Sequence, residues 1–222
     1  KLEGKASAKV VVWNLTLENR PLRLRMPRPA KGAFRLLAPD STEVSYQDQG
    51  GEILVEAEEV SVPGLGYLAL AVASGSPAKI SSELKASANT LENRFLRVKV
   101  APDGTLESVY DKQAGREVLT GRGNQLWAYT DIPREWEAWE VDAAYTKDGQ
   151  EVTASKPPRV LERGPLRASI AVERSLEGAT IEQQYRLWAK SRRLEIETCI
   201  RWERRRTLLR AYFPLNLRSH EA

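Results

Sequence analysis

The sequence predicts an all-β fold, and three observations predict it. Apolar and polar residues alternate at period two along much of the chain, the pattern of strands with one face covered. Clusters of turn-forming residues separate the alternating runs. No long stretch carries an apolar period of 3.6 residues, so no amphipathic helix is expected.

The runs follow in order. Leu22, Leu24 and Met26 alternate with Arg23 and Arg25. Leu166, Ala168, Ile170 and Val172 alternate with Arg167, Ser169 and Glu173. Leu194, Ile196, Thr198, Ile200 and Trp202 share one face, with Glu195, Glu197 and Arg201 on the other. Leu209, Ala211, Phe213, Leu215 and Leu217 repeat the pattern. Turn chemistry stands at Gln49-Gly50-Gly51, Pro102-Asp103-Gly104, Lys147-Asp148-Gly149, Arg163-Gly164-Pro165 and Glu177-Gly178. Short strands with frequent turns point to sandwiches or barrels. Small residues and a proline at Ser74-Gly75-Ser76-Pro77 interrupt the alternation. They place a small β-sandwich over 1–76, built of about six short strands, and a larger antiparallel assembly over 77–222. One echo is visible: residues 16–20 and 90–94 are both Thr-Leu-Glu-Asn-Arg, each followed one residue later by Leu-Arg. A repeated strand entry, or chance, explains it.

Composition excludes several classes. With 222 residues, 41% hydrophobic and 29% charged, the chain can bury a real core. No apolar run approaches the roughly 20 residues that span a bilayer, and no signal segment opens the chain, so it is expected to be soluble and free of membrane. Lys1 at the start and a terminus directly after a strand-like run read as cut ends. The net charge of +4 arises from 34 basic and 30 acidic residues that are mostly interleaved. Arg204-Arg205-Arg206 reads as a solvated turn rather than a nucleic-acid surface, which needs a continuous basic stripe. A single cysteine, Cys199, rules out an internal disulfide and is expected as a buried, inert thiol in a strand. That usage fits a reducing, cytoplasmic compartment. The lone histidine, His220, stands two residues from the end, where it reads as an exposed bystander.

Chemistry concentrates in residues 131–142, Asp-Ile-Pro-Arg-Glu-Trp-Glu-Ala-Trp-Glu-Val-Asp. Indole faces stack on the C–H faces of a sugar ring, and carboxylates accept hydrogen bonds from its hydroxyls or do acid–base work in glycoside hydrolysis. Asp131, Trp136, Glu137, Trp139, Glu140 and Asp142 are therefore candidate substrate-binding residues. An equal alternative is that Trp136 and Trp139 pin the loop onto the sheet while the acids face water.

Read with what precedes it, the block becomes specific. Residues 91–98 (Leu-Glu-Asn-Arg-Phe-Leu-Arg-Val), 102–112 (Pro-Asp-Gly-Thr-Leu-Glu-Ser-Val-Tyr-Asp-Lys), Gly115-Arg116-Glu117-Val118-Leu119 and Gly123-Asn124-Gln125-Leu126 lead into 131–142. This ordered series resembles the C-terminal β region of glycoside hydrolase family 38, the retaining α-mannosidases. Val12-Trp13-Asn14 resembles the segment that follows the helical bundle in that family. The chain departs at Glu137 and Glu140, where the family often has aspartates, and at Leu15, where it often has proline. A glutamate reaches about one methylene further, so a hydrogen bond from it to a sugar would need a shifted backbone.

The resemblance implies that the later region is part of a mutarotase-like supersandwich. It implies a multidomain parent enzyme whose N-terminal β/α domain carries an aspartate nucleophile and a zinc ion held by histidines and aspartates. No nucleophile, acid/base or zinc ligand carries over onto this chain. The expectation is an accessory C-terminal part of an enzyme acting on terminal α-mannosides, packed on its catalytic domain and itself inactive. A non-catalytic carbohydrate-binding module is the alternative. An aldose epimerase carries little weight, because its chemistry wants a His and Glu pair in a cleft.

Overall fold

The computed structural model describes residues 8–136 and 139–217, so His220 lies outside the described residues. The fold is all-β as expected, with five antiparallel sheets and one helical element among the described residues, a short 3-10 turn. No helix among these residues is long and apolar enough to cross a membrane. The chain divides into two compact units, Lys1–Ser82 and Glu83–Ala222.

The first unit holds β1 (Ala8–Asn14), β2 (Arg20–Pro27), β3 (Phe34–Leu37), β4 (Glu43–Val44), β5 (Tyr46–Asp48), β6 (Glu52–Val62) and β7 (Gly66–Ser74). They form two sheets, ordered β1-β7-β3-β4 and β2-β6-β5. Phe34, Leu36, Leu70 and Val72 of one sheet pack in one buried cluster with Leu22, Ile53 and Val55 of the other. This is a small sandwich held by alternate side chains, as the Leu22–Leu24–Met26 period requires.

The second unit opens with a meander of β8 (Lys85–Ser87), β9 (Thr90–Glu92), β10 (Leu96–Val100), β11 (Leu106–Asp111) and β12 (Arg116–Glu117). β13 (Gln125–Thr130) follows, then the 3-10 turn Ala143–Lys147 and β14 (Gly149–Glu151). A second meander runs through β15 (Arg159–Arg163), β16 (Arg167–Leu176), β17 (Ala179–Trp188) and β18 (Leu194–Trp202). The chain then returns as β19 (Thr207–Tyr212) to pair with β13, closing a three-stranded sheet ordered β14-β13-β19. Leu91, Val98 and Leu106 of the first meander share a core with Ala168, Ile170, Tyr185 and Leu187 of the second. Leu126 and Ala128 of β13 bury against Ile181 of β17 in a smaller cluster.

Two expectations need correction, and one open alternative is decided. Cys199 is exposed rather than buried, because the period that turns Ile196, Thr198 and Ile200 one way turns Cys199 to the opposite face with Glu197 and Arg201. The alternation of residues 209–217 is strand only to Tyr212. Pro214 has no N–H to continue the ladder, and Phe213, Leu215 and Leu217 are exposed beyond it. The two identical pentapeptides differ in structure: residues 90–92 are β9, whereas 16–18 are bends ahead of β2.

A buried polar network joins the sheets of the second unit. The Tyr185 hydroxyl donates to the Gly104 carbonyl at 2.7 Å and receives the Asn124 Nδ2 at 2.6 Å. Asn124 Nδ2 also reaches Gln183 Oε1 at 3.0 Å. The Arg174 guanidinium donates to that same Gln183 oxygen, and to the Gly104 carbonyl at 2.6 Å. All four side chains are buried. Gly104 sits at φ +82°, and a Cβ there would meet Val172 at 2.5 Å, so the turn requires glycine.

At the surface, Glu92 accepts hydrogen bonds from Arg97 at 3.0 Å and Lys112 at 2.9 Å. The Arg97 bond, and then Lys112, hold its carboxyl down at about 2 against a smaller opposing effect of burial.

Two tests follow from these contacts. Tyr185→Phe strips Gly104 of one donor and Asn124 of one acceptor in a buried site, and should cost about 1–3 kcal/mol. A lower urea midpoint with unchanged m would show it; an unaltered midpoint would refute the account. Because the carboxyl of Glu92 is depressed in the folded state, its stabilising effect is fully present above the unfolded carboxylate range and is lost as pH falls toward 2. The stability gap between wild type and Glu92→Gln should therefore be larger at pH 6 than near pH 2. A gap independent of pH would exclude it.

Candidate functional site

The block 131–142 lies in the connection from β13 to β14, which are paired strands, so both ends of the loop are anchored to one sheet. At its start the Asp131 N–H donates to the Arg206 carbonyl in the β18–β19 turn at 2.8 Å, and Pro133 is buried. At its end Asp142 caps the 3-10 turn, its Oδ1 accepting from the Ala144 N–H at 2.8 Å. The Tyr145 ring in that turn meets Tyr129 of β13 edge-on, at 5.0 Å and 88°. The Arg210 guanidinium covers the same Tyr145 ring at 5.3 Å. Gly149 leaves the space that Tyr129 fills, since a Cβ there would lie 2.4 Å from the tyrosine ring.

Between these anchors the backbone reverses at Trp136, whose φ is +58°. Its carbonyl accepts from the N–H groups of Trp139 at 2.7 Å and Glu140 at 3.1 Å. A bulky residue in the left-handed region is strained, and strain of that kind gathers at functional loops. Trp136 is 71% exposed and Trp139 89% exposed. Leaving one indole in water forgoes on the order of 4 kcal/mol of burial. These tryptophans therefore do not pin the loop to the sheet.

The carboxylates are dispersed. Glu140 is exposed, and Asp142 lies 3.7 Å from the Arg134 guanidinium across the loop. Asp131 carries one carboxylate oxygen, Oδ1, that is shielded from water and has no donor among the described residues. Glu137 falls outside the described residues, so the loop is placed through Asp131, Trp136, Trp139, Glu140 and Asp142. Among the described residues no three His, Cys, Asp or Glu side chains gather into a metal-binding group.

The sequence reading passed over the aromatic groups beside the loop. Trp127 and Tyr129 stand two apart on β13, and Tyr212 lies across from Gln125 on β19. The Tyr129 and Tyr212 hydroxyls are 3.2 Å apart. Burial raises the Tyr129 phenol above its ordinary range, and the bond from Tyr129 lowers that of Tyr212. The period-two spacing of Trp127 and Tyr129 was the available signal. Their partner Tyr212, more than 80 residues on, was invisible without the strand register.

Residues 91–222 match the model of the glycosyl hydrolases family 38 C-terminal domain, which covers more than half of the chain. The chain belongs to this family. Among its relatives, alpha-mannosidase G of Dictyostelium discoideum is 26% identical over 191 residues, covering 73% of this chain and 17% of that protein. Human alpha-mannosidase 2C1 is 26% identical over 183 residues, with the same two shares. The chain thus spans about a sixth of the length of the curated relatives it matches. The crystal structure of an alpha-mannosidase from Enterococcus faecalis V583 shares its fold, with a TM-score of 0.68 at 15% identity over 93% of this chain and 31% of the bacterial one. A second E. faecalis structure, of a protein in glycosyl hydrolase family 38, also scores 0.68, at 16% identity over 96% of this chain and 33% of that one. In this family 38 domain, the described residues of 131–142 belong to a connection anchored at both ends to the sheet that β13 shares with β19, with Trp136 and Trp139 exposed.

The Tyr129–Gly149 contact tests how the loop is held. Gly149→Ala forces the tyrosine ring aside and should destabilise the domain by about 1–3 kcal/mol. Shrinking the ring should relieve that clash, so the cost of Gly149→Ala should fall clearly in a Tyr129→Ala background. Equal costs in the two backgrounds, measured by thermal melts, would show that the ring does not set the loop's seat.

Proposed function

We propose that this chain is the accessory C-terminal β part of a retaining α-mannosidase that hydrolyses terminal α-mannosides. In this reading residues 131–142 border the sugar pocket, and the chain packs on a catalytic domain. The nucleophile and the zinc come from outside these residues. The observation that carries the proposal is the pair of outward indoles, Trp136 and Trp139, on a loop fixed at both ends. Exposed indoles on a loop anchored at both ends meet a sugar ring at a smaller ordering cost than on a free segment. Family membership supports the glycoside as the ligand class, and the names of the relatives support mannose as the sugar.

The chemistry open to the described residues is binding and orientation. Asp131 Oδ1 offers a shielded acceptor to a hydroxyl, the indoles offer flat apolar faces, and Glu140 offers an exposed carboxylate. Retaining hydrolysis needs two carboxyl groups about 5–5.5 Å apart flanking the scissile bond. The second reading, a carbohydrate-binding module without an associated enzyme, rests on the same exposed indoles.

The test is kinetic. The 222-residue chain should show no turnover of an aryl α-mannoside with or without added zinc. In a longer enzyme carrying this domain, Trp136→Ala and Trp139→Ala should each raise KM or lower kcat about tenfold or more, the loss of roughly 1.4 kcal/mol of transition-state binding. Turnover by the chain alone would overturn the placement of the catalytic groups. Unchanged kinetics in both variants would remove the loop from the pocket.

A further inference from the structure

Strand β13 has two faces with opposite tasks. Leu126 and Ala128 point into the core, so Gln125, Trp127 and Tyr129 point out of it. The antiparallel register sets Gln125 beside Tyr212 and Trp127 beside Arg210 on that same outer face. Gln125, Trp127, Tyr129, Tyr212, Phe213 and Pro214 line a depression of about 410 Å³. That volume falls within the range of small-molecule sites. The Trp127 and Tyr129 rings are tilted by only 18°, with centroids 6.1 Å apart.

The polar groups at this depression are oriented by their neighbours. Gln125 Nε2 donates to the Arg122 carbonyl at 2.7 Å, which fixes the direction of its amide oxygen. The Tyr129–Tyr212 contact at 3.2 Å holds the Tyr212 hydroxyl in place. The exposed Arg210 guanidinium is not part of the lining itself but lies over the Tyr212 ring that is, at 4.9 Å. Aromatic faces interleaved with an amide, a phenol and a guanidinium suit a ring that is apolar on its C–H face and carries hydroxyls at its edge. A purely apolar partner would leave these three polar groups to be desolvated without compensation.

We propose that this depression binds a hexopyranose ring, as a second sugar contact on the sheet that also carries the 131–142 loop. The inference rests on the reading that this domain meets glycosides. It adds a contact toward the Gln125 end of β13, roughly 20 Å of extended chain from Asp131. Trp127 supplies the stacking face, and Arg210, Tyr212 and Gln125 supply hydrogen bonds to the hydroxyls. Tyr129 positions Tyr212 and, through Tyr145, connects the depression to the loop.

The probe is methyl α-mannoside, titrated into the 222-residue chain and followed by the indole N–H resonances in 1H–15N spectra. Saturable shifts of the Trp127 indole in the millimolar range are expected, the affinity of a few hydrogen bonds and one stacked ring. Trp127→Ala should weaken this binding at least tenfold. Arg210→Gln, a change at an exposed guanidinium that leaves the ladder intact, should weaken it at least threefold. The double variant Trp136→Ala/Trp139→Ala should leave the Trp127-side binding in place, which separates this contact from the loop. If loop variants alter mannosidase kinetics while the Trp127 indole never moves, the proposal fails and the functional reading survives. If Arg210→Gln changes sedimentation of the chain but not sugar binding, the depression is a protein contact and the proposal is overturned.

Discussion

The second unit depends on a guanidinium that has been taken out of water. Arg174 is buried in β16 and forms no ion pair among the described residues; its bonds go to the Gln183 amide oxygen and the Gly104 carbonyl. A lone buried cation is costly, and neutral acceptors offset that cost only when several are aimed at it. Gln183 and Tyr185 come from β17, Gly104 from the β10–β11 turn, and Asn124 from the residue that opens β13. The Arg174 Nη1 and Nη2 groups, Gln183 Oε1 and the Tyr185 hydroxyl keep these bonds only while the other elements stay in register, and Arg174 Nε is buried without an acceptor among the described residues. An apolar core tolerates small slips, whereas this network penalises each slip by an unmet polar group. The position of β13 is set here, and with it everything that β13 carries outward.

What β13 carries follows from its two faces. The inner face contributes Leu126 and Ala128 to the core, and the outer face carries the half-buried Trp127 and the buried Tyr129. Tyr129 is the joint between them. It is buried under Tyr145, fitted into the gap at Gly149, and bonded to Tyr212. The start of the loop is tied separately, by the Asp131 N–H on the Arg206 carbonyl. A loop fastened at both ends loses little further freedom on binding, so strain at Trp136 and the exposure of two indoles persist without collapse.

Much of this was legible in the sequence, and the gaps have physical causes. The run from Leu194 to Trp202 is β18 residue for residue; the predicted turns at 49–51, 102–104 and 177–178 fall wholly between elements, while those at 147–149 and 163–165 overlap element ends by a residue or two. Period, however, reports which way a side chain points and not how deeply it is covered. In β16 the residues read as outward, Arg167 and Ser169, are buried because both faces of that central strand are covered. In β18 the residues read as inward are only partly covered, with Ile200 44% exposed, because β18 is the last strand of its sheet. The identical pentapeptides at 16–20 and 90–94 make the same point at shorter range. Asn93 receives the Phe95 and Leu96 N–H groups and donates to the carbonyls of Trp188 and Ser191, partners nearly 100 residues away. Asn19 instead accepts from the Gly64 N–H. Tertiary partners decided the outcome that five identical residues could not.

The same limit applied to the site. Residues 131–142 stood out because tryptophans and carboxylates were adjacent in sequence, and adjacency is the one property a linear reading sees directly. Its two interpretations differed only in burial, and burial depends on residues elsewhere: Tyr129 and Tyr145 fill the space against the sheet that an indole would have needed to pin the loop. The depression beside Trp127 was harder still, because half of its lining, Tyr212 at the end of β19 and Phe213 and Pro214 just after it, meets β13 through the pairing of β19 with β13. That pairing in turn rests on β13 being held by the Asn124–Tyr185 bond at its start. The surface proposed to meet sugar is thus seated by a buried polar network that lies away from it, which is why the residues of that network were unremarkable in the sequence.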